Sequence, residues 1–73
     1  MERRATPVAW VLAPKWLTVA EAAHLSGFDE ELLQFLIEDG GVDAEWFGDR
    51  WLIDKQSLIE YREALALVLN WRA

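Results

Sequence analysis

Residues 18–49, TVAEAAHLSGFDEELLQFLIEDGGVDAEWFGD, decide how this chain is read. The stretch opens with Thr18 followed three residues later by Glu21. That pair is a capping box, in which the hydroxyl accepts an orphan amide and the carboxylate accepts the cap's own amide. An Ala-rich run follows and stops at Ser26-Gly27, where glycine supplies a left-handed turn. Asp29 caps a second helix over Glu30 to Asp39, with Phe28 and Leu33 placed as a hydrophobic staple. Leu32, Leu33, Leu36 and Ile37 share one face at helical spacing and read as core. Glu31, Gln34 and Glu38 fall opposite, with Phe35 at the edge, and Gly40-Gly41 ends the helix. The segment also carries nine acids and neither Lys nor Arg. Seven bases against four acids elsewhere leave the remainder at +3, so the formal charge of −6 resides in these residues alone.

Downstream, 44–47 and 50–53 are short aromatic runs separated by Gly48-Asp49. A two-residue connection with glycine is a hairpin signal, because primed turns need positive φ. Asp54 then caps a last helix, with Ile53 and Leu58 as its staple. Leu58, Tyr61, Leu65, Val68 and Leu69 form one apolar stripe. A second stripe, Ala64, Leu67 and Trp71, appears only in the last turns. One stripe docks a helix on its own domain, so the second seeks another surface.

Upstream, Trp16-Leu17-Thr18 opens the first helix. Val8 to Leu12 is an apolar run bounded by Pro7 and Pro14, which suits an extended arm or an edge strand. Residues 1–15 are therefore an N-terminal arm or edge strand, 16–65 the folded domain, and 66–73 an apolar extension of its last helix.

Seventy-three residues make one domain at most. A chain of that length buries only about 60% of its unfolded surface, so its stability is marginal. There is no cysteine for a disulfide or a thiolate metal site. Five Trp and three Phe among 53% hydrophobic residues imply either an aromatic core or apolar surface covered by another chain. No nucleophile–base set, phosphate-cradling loop or metal cluster is evident, so no enzyme chemistry, metal or cofactor is expected. His24 reads as a helix-surface residue, within reach of Asp29 or Glu21, and is assigned no role. No secretory signal or membrane span is evident, and the absence of cysteine is compatible with the cytoplasm.

Taken in order, "WLTVAEAAHLSGF", a second helix ending in glycine, and "WFGDRWLIDKQSLIEYREAL" resemble the excisionase/MerR-like winged helix-turn-helix domains over about residues 16–65. The resemblance implies an α+β fold of two crossing helices, a wing and a C-terminal helix, to which the N-terminal run is a candidate third strand. It also implies DNA binding, with the second helix in the major groove and the wing on the backbone. The departures fall on the contact positions. Gln34, Phe35 and Glu38 stand where the family usually carries Arg or Lys, and Trp46 replaces the base ahead of the wing glycine. Arg50 alone keeps a wing base.

A helix presenting Glu31 and Glu38 meets phosphates with like charge. The expectation is therefore a regulatory or assembly module acting through protein contacts, chiefly homo-oligomerisation. Phe35, Trp46, Leu67 and Trp71 are its apolar anchors, with Glu31 and Glu38 as an acidic rim; the partner is a second copy of the chain or another protein, for which a basic surface is the complement. The alternative is a DNA-binding transcription regulator or excisionase-type protein using Arg3, Arg4, Lys15 and Arg50. A third reading is an acidic inhibitor imitating DNA. The plainest account of the acids is a solvated face that confers solubility.

Overall fold

The computed structural model describes residues 7–71, with side-chain surroundings given for 9–70. The elements in order are α1 (Pro7–Leu12), β1 (Trp16–Thr18), α2 (Val19–Ser26), α3 (Glu30–Asp39), β2 (Ala44–Phe47), β3 (Arg50–Asp54) and α4 (Lys55–Trp71). The strands form one antiparallel sheet in the order β1-β3-β2. This is a small α+β domain whose α2–turn–α3 pair and following hairpin are compatible with a winged helix-turn-helix.

Local chemistry places the middle elements. Thr18 Oγ1 accepts from the Glu21 amide at 3.1 Å and Glu21 Oε1 accepts from the Thr18 amide at 2.9 Å, completing the capping box. Asp29 Oδ1 accepts from the Leu32 amide at 2.8 Å and starts α3. The double glycine after α3 has two separate causes. Gly40 takes φ 83°, where an L side chain is strained. Gly41 lies so close to Leu36 that an added Cβ would stand 2.9 Å from Leu36 Cδ2. At the hairpin, Gly48 has φ 69° while Asp49 does not have positive φ. That is the pattern of a type II′ turn, whose twist suits the flanking strands.

Three expectations need correction. The Val8–Leu12 run is neither an arm nor an edge strand but part of a helix, α1. Proline at the first helical position is preorganised for the helix and lacks only an amide that would be an orphan anyway. Pro14 then stands just past the end, so the two prolines bracket α1 rather than forbid it. Trp16-Leu17-Thr18 leads into α2, with Thr18 as its N-cap, but is itself extended. It is β1, pairing Leu17 with Ile53, and it supplies the third strand. Among the described residues the helices accordingly number four. Asp54 does precede α4, but among the described residues its carboxylate is taken by Lys15 Nζ at 2.9 Å.

The buried core is Leu17, Ala22, Leu25, Leu33, Leu36, Val42, Ile53 and Leu58. None of these is aromatic. Phe28 and Tyr61 meet edge-on at 6.1 Å and pack partly buried against that aliphatic centre. The remaining aromatic mass lies further out, which decides where the candidate surfaces are. Long-range polar contacts tie the periphery down. Lys55 Nζ donates to the carbonyls of Trp10 and Ala13 at 3.0 and 2.8 Å, closing the C-terminal end of α1. Arg62 Nε does the same for Ser26 at the end of α2, at 3.1 Å.

Candidate interaction surface

The expected anchors sit on three elements. On α3, Glu31, Phe35 and Glu38 are spaced i, i+4, i+7 and so share the face opposite Leu33. Leu33 is fully buried and Phe35 is 57% exposed. Glu31 and Glu38 are exposed, with Gln34 half-buried beside them. Acids in the first turn, Glu30 and Glu31, suit the positive end of the helix. Glu38 and Asp39 occupy the negative end, where a carboxylate costs about 0.3–1 kcal/mol. Helix stability does not account for that pair.

On the hairpin, residue alternation sorts the side chains by face. Ile53 faces the helices, so its register partners Leu17 and Ala44 do too, as do Trp51 and its partner Trp46. Trp46 and Trp51 stack edge-to-face with centroids 5.3 Å apart. Even so, Trp46 is 59% exposed. Trp16, Thr18, Glu45, Phe47, Arg50 and Leu52 belong to the opposite, outer face. Phe47 is among the exposed large hydrophobic residues. The sequence reading missed it, although the same alternation that pairs Trp46 with Trp51 puts Phe47 outside.

On α4 the expectation changes in one respect. Val68 and Leu69 belong by periodicity to the stripe that docks the helix, yet they are 59% and 65% exposed, and Leu67 is 71% exposed. Leu58 and Leu65 follow the stripe into the domain, while residues 66–70 are all exposed. The periodicity continues past the point where the domain ends. Trp71 is the last residue of α4, and its side chain lies outside the described residues, as do Arg3 and Arg4.

The described bases are all engaged within the chain. Lys15 pairs with Asp54 and sits 5.0 Å from the Trp16 ring centre. Arg50 Nε contacts Asp49 at 3.2 Å. Lys55 and Arg62 close helix ends as described above. Among the described residues no group of three or more His, Cys, Asp or Glu is placed to hold a metal ion. No described helix is long and apolar enough to cross a membrane. No protein-family model, curated protein or solved structure matches this chain.

Proposed function

We propose that this protein is a regulatory or assembly module with a MerR/excisionase-like winged helix-turn-helix fold that works through protein contacts, first of all with copies of itself. The observation that carries the proposal is the run Leu67-Val68-Leu69, each residue more than half exposed on the overhanging end of α4. Consecutive helical residues point about 100° apart, so three of them span about 200° of the helix surface. A single intramolecular face does not cover such an arc. A partner helix, or several, does, and burying the run recovers roughly 1.5–3 kcal/mol per side chain.

The acidic outer face of α3 supports the same reading. Binding DNA through α3 brings Glu31 and Glu38 toward phosphates, and α3 itself carries no base to offset them. Exposed Phe35 and Trp46 are the residue types enriched at protein interfaces.

Sedimentation tests the proposal. The wild-type chain is expected to run above its monomer mass of 8.4 kDa. Leu67→Glu combined with Leu69→Glu should return it to that mass, raising the dissociation constant by about a hundredfold or more, since two charges would have to be buried. A wild type that stays monomeric at high micromolar concentration removes self-association. Sub-micromolar, salt-sensitive binding of duplex DNA that is lost on changes in α3 would move the protein to the DNA-binding class instead.

A further inference from the structure

The outer face of the sheet holds a groove of about 260 Å³ lined by Trp16, Glu45, Phe47 and Leu52. Register explains its construction. Leu52, at the centre of β3, pairs with Thr18 on one side and Glu45 on the other. Trp16 on β1 and Phe47 on β2 stand at opposite corners. The floor is therefore aliphatic, two walls are aromatic, and one wall is a carboxylate.

The charges around the groove cancel except at Glu45. Asp54 and Lys15 form a pair at the Trp16 corner. Arg50 and Asp49 form another at the Phe47 corner. Among the described residues the Glu45 carboxylate has no hydrogen-bond or ion-pair partner, and it stands in a segment without a base. The Trp16 ring already accepts one cation, the Lys15 ammonium. The volume lies below the range of about 300–1,000 Å³ usual for small-molecule pockets, and suits one side chain.

We infer that this groove is a docking site for an arginine side chain of a basic protein partner. The guanidinium is planar, stacks on aromatic faces and forks onto a carboxylate, matching Trp16, Phe47 and Glu45 together. Its aliphatic stem lies on Leu52. A lysine offers the charge without the planar stack. This surface is separate from the end of α4, and the inference holds whether or not the chain self-associates.

The test uses N-acetyl-arginine amide as the probe on the full chain, followed by two-dimensional amide and indole NMR. Saturable shifts are expected at the Trp16 indole and at the amides of Leu52 and Phe47, with a dissociation constant on the order of 1 mM for so small a ligand. N-acetyl-lysine amide should bind more weakly, and N-acetyl-norleucine amide more weakly still. Glu45→Gln should weaken the arginine probe about tenfold, and Trp16→Ala should abolish the saturable shifts. Unchanged affinity in Glu45→Gln, or equal binding of the norleucine probe, overturns the proposal in favour of an apolar occupant. Equal shifts along Glu31 and Glu38 of α3 overturn it as unspecific charge attraction. Broadening of the groove resonances on concentrating the protein alone overturns it in favour of a second copy.

Discussion

Replacing Ile53 by alanine is expected to leave most of the chain unfolded at room temperature. Ile53 is fully buried. It pairs with Leu17 on one side and Ala44 on the other, at the centre of the helix-facing side of the sheet. It also stands two residues before α4, and Leu58, five residues further on, is fully buried as well. Truncating an isoleucine in such a place costs about 2–5 kcal/mol, because the surroundings collapse only partly into the space left. A core of this size rarely supplies more than about 3–5 kcal/mol in total. The loss and the total are therefore comparable, and the folded fraction falls steeply. A urea titration reads it directly, with all variants at one protein concentration because association shifts apparent stability. Phe47→Ser, on the exposed outer face, should stay within roughly 0.5 kcal/mol of the parent. An Ile53→Ala protein that unfolds cooperatively within about 1 kcal/mol of the parent would contradict the placement of the core.

The second large effect is expected at Lys55. Its ammonium holds the carbonyls of Trp10 and Ala13 across 45 and 42 residues of sequence. A cation at that end also complements the dipole of α1. Six residues do not sustain a helix in water by themselves, so α1 depends on its anchorage. Lys55→Met keeps the apolar stem and removes the two charge-assisted bonds, at a cost of about 1.5–3 kcal/mol. Hydrogen exchange locates the loss. The Ala13 amide, bonded to the carbonyls of Ala9 and Trp10 at 3.1 and 3.3 Å, should lose its protection first. Amides inside α3 should keep theirs. Undiminished protection at Ala13 would show that α1 is held by packing of Ala9 and Trp10 alone.

These two residues mark what the sequence makes legible and what it does not. The α2–turn–α3 unit is legible because its signals are local. Thr18 and Glu21 lie three residues apart, Asp29 caps its own helix, and Gly48 makes its own turn. Nothing distant has to be known. Helix α1 is not legible, because proline on both flanks fits a helix start and stop as well as an extended edge. The choice falls to Lys55, far away in sequence. The end of α4 misleads for a related reason. Apolar periodicity assigns Val68 and Leu69 a direction, but it carries no information about where the domain stops beneath them. Among the aromatic residues, the face each one takes on the hairpin is not legible from the sequence. Once the sheet register is known, Trp46 and Phe47, neighbours in sequence, separate onto opposite faces and join different candidate surfaces.

The crossing of Trp46 and Trp51 has an optical consequence. Their rings lie at 75° to one another, 5.3 Å between centres. Chromophores held skewed at that range share their excited states and give a paired circular dichroism band whose sign follows the handedness of the crossing. The wing thus carries its own spectroscopic label, which disappears when the strands part even if the helices remain. An ultraviolet spectrum interpreted as peptide signal alone will misstate the helical fraction of this protein.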